Sequence, residues 1–98
     1  MKVIWSNRAI GQLQAINAYI AENSRPYAAN MIDRLHARVG QLEAFPDSGR
    51  PVPEDRGSGA REVFEQPYRI VYEVHGAQVE VLAVVHMRQE GPGTLRAT

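Results

Sequence analysis

The hydrophobic positions of this 98-residue chain change their spacing twice. Val3, Ile4 and Trp5 are consecutive and end at Ser6, the pattern of a short strand that runs straight into a helix. Ser6 has the side chain of an N-cap, and Trp5 and Ile10 then fall at the two positions whose contact fixes the angle of the first helical turn. Ile10, Leu13, Ile16 (or Asn17) and Ile20 recur at helical steps, which predicts a helix to about Ala21 with Gln12, Gln14 and Glu22 left in solvent. Asn23-Ser24-Arg25-Pro26 interrupts the pattern and restarts it, because a proline in the first turn forfeits no hydrogen bond the helix would make. Ala28, Met31, Ile32, Leu35, Val39 and Leu42 form the stripe of a second helix, which Phe45-Pro46 ends. The two helices make an antiparallel hairpin with one shared apolar face.

Residues 46–60 carry three prolines and three glycines and no period, which reads as a long surface loop of the kind that is often functional or mobile. Its Gly57-Ser58-Gly59 is no phosphate cradle: Glu62 stands where a dinucleotide fingerprint needs its third glycine, and no lysine follows. From Arg61 the period becomes two, predicting antiparallel strands over Arg61–Glu65, Tyr68–Val74 and Gln78–His86. With Gly76-Ala77 as a two-residue turn, Val74 opposes Val79, Tyr72 opposes Val81, Ile70 opposes Ala83 and Tyr68 opposes Val85, all on one face that the helix hairpin covers. The other face carries Arg69, Val71, Glu73, Glu80, Leu82, Val84 and His86, half polar and suited to solvent or to binding. The expected fold class is α+β, in the order βααβββ, with the helix hairpin packed on a mostly antiparallel sheet.

Composition narrows the function. A chain this short supports one core, so residues 1–89 are expected to form a single domain and residues 90–98 a flexible tail. Eleven Lys plus Arg balance eleven Asp plus Glu, so no global positive field invites a polyanion and direct DNA binding by this chain alone is not expected. There is no cysteine, hence no disulfide, thiolate nucleophile or Cys-ligated zinc. No apolar run approaches the roughly 20 residues of a membrane span, and polar residues precede any signal-peptide core, so the expected location is the cytoplasm. His36, His75 and His86 show no ligand spacing, and neither metal nor cofactor is expected.

Several local sequences resemble the RelE/ParE superfamily of toxins. They are Trp5 entering the first helix, Ile16-Asn17-Ala18-Tyr19-Ile20-Ala21, Ala28-Ala29, Leu42-Glu43-Ala44-Phe45-Pro46-Asp47-Ser48-Gly49-Arg50, Arg61-Glu62-Val63, Tyr68-Arg69-Ile70-Val71-Tyr72 and Val84-Val85-His86-Met87-Arg88. The resemblance implies the toxin of a bacterial type II toxin–antitoxin module of the plasmid-stabilisation type, neutralised by a cognate antitoxin. It also implies one of two targets. RelE-like members cut mRNA on the ribosome with a cluster of Lys, Arg and Tyr or His, whereas ParE-like members are associated with poisoning DNA gyrase without cutting RNA.

Against the RelE pattern the sequence keeps Arg69 and Arg88, but its only lysine is Lys2 and no tyrosine follows Tyr72. A net charge of zero also suits a ribosome-directed nuclease poorly. The ParE-like reading, a non-enzymatic gyrase inhibitor, is therefore preferred. The alternatives are a ribosome-dependent endoribonuclease with Arg69, His86 and Arg88 as its catalytic set, and a non-toxic corepressor of its antitoxin. Arg61, Arg69 and Arg88 are the candidate target contacts. Arg69 has a structural alternative, a pair with Glu62 or Glu80. Ala15, Ala18, Tyr19, Tyr27 and Ala29 lie at the margins of the helical stripes and are the candidate antitoxin contacts. The partner implied is a ribbon-helix-helix or similar DNA-binding antitoxin with a disordered C-terminal region that folds on docking.

Overall fold

The computed structural model describes residues 1–88, so the tail expected over residues 90–98 lies outside the described residues. The chain forms β1 (Lys2–Trp5), α1 (Asn7–Ala21), α2 (Arg25–Gly40), a two-residue β2 (Arg50–Pro51), β3 (Arg61–Glu65), β4 (Tyr68–His75) and β5 (Gln78–His86). The five strands make one sheet in the order β1-β5-β4-β3-β2, antiparallel except for the parallel β1–β5 pair. Both helices pack on one face of it. Among the described residues no helix is long and apolar enough to cross a membrane.

Local chemistry sets both helix starts. Ser6 is in extended backbone and its Oγ accepts from the Ala9 N–H at 3.0 Å. The same hydroxyl donates to the Leu82 carbonyl at 3.1 Å, tying the start of α1 to β5. Ser24 caps α2 in the same way, accepting from the Tyr27 N–H, with Pro26 in the first turn. Replacing an N-cap serine by alanine costs about 0.5–2 kcal/mol. Ser6→Ala is expected at the upper end of that range, because the Leu82 carbonyl loses its donor too. A lowered urea midpoint at unchanged slope is the outcome to look for.

The buried stripe of α1 starts at Ala9, fully buried, and continues through the partly buried Leu13, Ile16 and Ile20. Ile10 is instead 42 % exposed, and Trp5 sets its ring against His36 with centroids 5.2 Å apart. In α2, Ala28, Met31, Leu35 and Val39 are buried as expected, but the α-helix stops at Gly40 and a 3-10 turn over Gln41–Glu43 delivers Leu42 to the core.

The largest departure from the expected fold is in β5. The predicted register holds from Val74–Val79 to Tyr72–Val81, and then Leu82 is unmatched: Val71 pairs with Ala83, Ile70 with Val84 and Tyr68 with His86. This β-bulge reverses the parity of everything beyond it. Val84 joins the helix-covered core, whereas Ala83 and Val85, expected there, point to the opposite face.

That opposite face is not open. Segment 46–49 passes the β3 edge of the sheet, Arg50–Pro51 pairs with Glu62 and Arg61, and the chain then folds back over the sheet. Val52 and Ala60 are buried there against Val71, Ala83 and Val85, a second small core. The segment read as a loose loop is thus a cover, with a 3-10 stretch over Pro53–Ser58.

Candidate functional site

Two polar constellations stand out, one buried and one open. The buried one lies under the 46–60 segment. Arg69 extends from β4 with its side chain only 7 % exposed, and its guanidinium donates to Glu62 Oε1 at 2.9 Å and to both carboxylate oxygens of Glu54. Glu62, fully buried, accepts on its other oxygen from Arg50 Nε at 2.7 Å. The hydrogen bond from Arg69 to Glu54, and then the charges of both glutamates, hold the guanidinium above its already high ordinary value against the opposing effect of burial. The expected pairing with Glu62 is therefore present. Glu80 is not a partner, and Glu54, which no periodic pattern could place, takes that role.

A second set of contacts fixes the path of the covering segment. Tyr72 Oη donates to the Pro46 carbonyl at 2.7 Å and accepts from the Gly49 N–H at 2.9 Å, while Arg61 donates to the Gly49 carbonyl at 2.7 Å. Burial raises the Tyr72 phenol above its ordinary 10.0, partly offset by the Gly49 hydrogen bond. Glycine is required at position 49: a Cβ there would stand 2.6 Å from Tyr72 Oη and 2.7 Å from the Glu62 carbonyl oxygen. Gly49→Ala is accordingly expected to cost about 1–3 kcal/mol, the range for overpacking a filled site. Calorimetric melting checks this, and an unchanged midpoint would mean the segment is not held here.

The open constellation is a groove of about 580 Å³ between α1 and the end of β5. β1 pairs with β5 only as far as Val81, so the edge of β5 beyond it would be bare. Side chains from the start of α1 blunt that edge: Ser6 takes the Leu82 carbonyl, and Gln12, expected in solvent, accepts from the Val84 N–H at 2.7 Å. Farther along, Ala15, Ile16 and Tyr19 of α1 face Tyr68, Val84, His86 and Arg88, and among the described residues no lining residue is acidic. Tyr68 and His86 meet edge to face with centroids 5.8 Å apart, and His86 Nδ1 accepts from the Arg88 N–H at 3.1 Å. Burial, then the neighbouring Tyr19 and Tyr27, push the Tyr68 phenol up. A smaller groove of about 330 Å³, lined by Leu13, Asn17, Ala29 and Ile32 among others, separates α1 from α2.

The structure redistributes the candidate residues. Arg69, His86 and Arg88 were expected on one side of the sheet. The bulge puts His86 opposite Tyr68, at the helix-side groove with Arg88, while Arg69 stays beneath the covering segment. Arg61 and Arg69 lie on opposite faces, since Arg61 pairs with Tyr72 and Arg69 with Phe64. Of the three arginines proposed as target contacts, Arg88 alone is exposed. Ala15, Ala18, Tyr19, Tyr27 and Ala29 are all exposed. Ala15 and Tyr19 line the larger groove and Ala29 the smaller, while Ala18 and Tyr27 line neither. Residue patterning missed Gln12 and Tyr68 as groove residues, because a lone glutamine on a helix carries no strand-edge signal and Tyr68 reads as core.

A small α+β domain whose covering segment is locked to its sheet by a buried arginine–glutamate network defines the class, and comparison with known proteins gives the family. The family described as "ParE toxin of type II toxin-antitoxin system, parDE" matches residues 3–91. The Sinorhizobium fredii protein named "Putative toxin Y4kP" is 34% identical over 96 residues, covering 96% of each chain. A solved structure titled "Chromosomal ParDE TA system from P. aeruginosa" shares the fold with a TM-score of 0.74 over 88% of this chain and 95% of that one, at 23% identity. The chain belongs to the ParE toxin family, as the toxin of a ParDE-type toxin–antitoxin system.

Proposed function

We propose that residues 1–89 act in the bacterial cytoplasm as a non-enzymatic inhibitor of DNA gyrase, held in check by a ParD-like antitoxin. The observation that carries the target assignment is the position of Arg69. A nuclease of the RelE type needs several cations and a proton-transfer group around one phosphodiester. Here the arginine of the Tyr68-Arg69-Ile70-Val71-Tyr72 strand is consumed by Glu54 and Glu62, and only His86 and Arg88 of the nuclease set reach the open groove. The sole lysine, Lys2, is on β1 at the far side of the sheet from β3, and the net charge is zero.

The antitoxin is assigned to the exposed ridge of α1 and the grooves on either side of it. A disordered C-terminal segment can fold there, placing apolar side chains against Ala15, Tyr19 and Ala29 and an acidic one against Arg88. Expression in a bacterial host tests the reading. Growth arrest with induction of the DNA-damage response, relieved by co-expressing the adjacent reading frame, supports it; arrest with fragmented mRNA and no DNA-damage response contradicts it.

A further inference from the structure

At the free end of the β4–β5 hairpin, far along the strands from the groove, Glu73 and Glu80 stand directly opposite each other. Like charges in that relation weaken strand pairing. His75, two residues along β4 on the same face, points Nε2 at both of them, 2.9 Å from Glu73 Oε1 and 3.6 Å from Glu80 Oε1. One donor atom from each residue lies within 4.8 Å of the other two. Among the described residues, neither carboxylate lies within ion-pair distance of a lysine or arginine.

This spacing has a specific chemical meaning. Ligands bound to one zinc ion at about 2.0–2.2 Å in tetrahedral geometry stand about 3.4 Å apart, and the two histidine–glutamate separations bracket that value. The donors are also held on paired strands rather than on a loop, the hairpin closing through Gly76 at φ 59. All three side chains are partly open to solvent, with Glu73 at 22 %, Glu80 at 38 % and His75 at 56 %, which leaves room for water to complete a coordination shell. An imidazole with two carboxylates favours a first-row divalent ion such as Zn²⁺ over Mg²⁺ or Ca²⁺, which take oxygen ligands.

We propose that Glu73, His75 and Glu80 form a surface Zn²⁺ site that neutralises the opposed glutamates and ties the two strands of the hairpin together. Periodicity could not show it, because its ligands come from two strands and meet only once the register is set.

The test uses the untagged full chain, stripped with chelator, at mildly alkaline pH. Titration with ZnCl₂ should give one equivalent bound and a raised melting temperature, with MgCl₂ giving neither. His75→Ala and Glu80→Gln should each weaken binding at least about tenfold, while His36→Gln and His86→Gln bind as the parent does. Glu80→Gln should also melt higher than the parent without metal, since it removes one of two opposed charges, yet gain less from a given Zn²⁺ concentration. Absence of saturable binding up to the solubility limit of Zn²⁺ at that pH would overturn the proposal and leave His75 as a hydrogen-bond partner of the two glutamates only. Binding that survives His75→Ala, or that is lost with His36 or His86, would overturn it equally.

Discussion

Arg69→Ala is expected to lower the unfolding free energy by about 3–5 kcal/mol, the usual cost of removing one partner from a buried ion pair. Its guanidinium is nearly inaccessible, and it is the principal partner of a carboxylate, Glu62, that is fully buried. Without it Glu62 keeps, among the described residues, only Arg50, whose own side chain is 59 % exposed, and Glu54 loses both of its hydrogen bonds from Arg69. Domains of this size are stable by only about 5–15 kcal/mol, so the variant sits near the edge of folding. Urea unfolding measures the loss. A double replacement, Arg69→Met with Glu62→Met, should cost less than the sum of its parts, because the fully buried carboxylate is then removed together with its partner. A single-variant loss under about 1 kcal/mol would be the behaviour of a surface pair and would return Arg69 to the list of target contacts. Lost toxicity in Arg69→Ala, taken alone, therefore reports folding rather than recognition.

The second large effect is on antitoxin binding. Ala15→Glu places a charge in the larger groove, against Tyr19 and the Tyr68–His86 pair, and Ala29→Glu places one in the smaller groove beside Asp33. Either desolvated carboxylate is expected to weaken the complex roughly a hundredfold, about 2.7 kcal/mol, the scale of an interface hot spot. The fold should be unaffected, since both positions are exposed on helices. Comparing dissociation constants of the two variants also locates the antitoxin. A loss confined to Ala29→Glu would place it between the helices, and a loss confined to Ala15→Glu would place it along β5. Unchanged affinity in both would move the docking surface off the α1 ridge.

Much of the fold was legible because its local signals agree with its tertiary ones. Ser6 and Ser24 are caps in sequence and in structure, the α2 stripe from Ala28 to Val39 is the buried face, and Gly76-Ala77 closes the last hairpin. The bulge at Leu82 was illegible for a physical reason. Val81-Leu82-Ala83-Val84-Val85 is apolar throughout, so it satisfies either strand parity, and only packing against α1 on one side and Val52 on the other decides which residue faces where.

The candidate site suffered most from that ambiguity. A one-residue shift separated His86 from Arg69, and the pairing of Arg69 with Glu54 depends on the route of a segment that has no period to read. Segments that resemble the toxin family, Phe45 to Arg50, Arg61 to Val63 and Tyr68 to Tyr72, turn out to be one connected network. Gly49 fits beneath Tyr72, Arg61 holds Gly49, and Arg50 and Arg69 share Glu62. Their shared spacing reflects the fastening of the covering segment, which gives the motif a structural role of its own.

The target we propose is gyrase rather than message. Purified protein added to gyrase, ATP and supercoiled DNA should accumulate cleaved DNA covalently attached to the enzyme, while message on programmed ribosomes treated with the same preparation stays intact. Ribosome-dependent cleavage of that message, with gyrase left unaffected, would make the protein a nuclease instead.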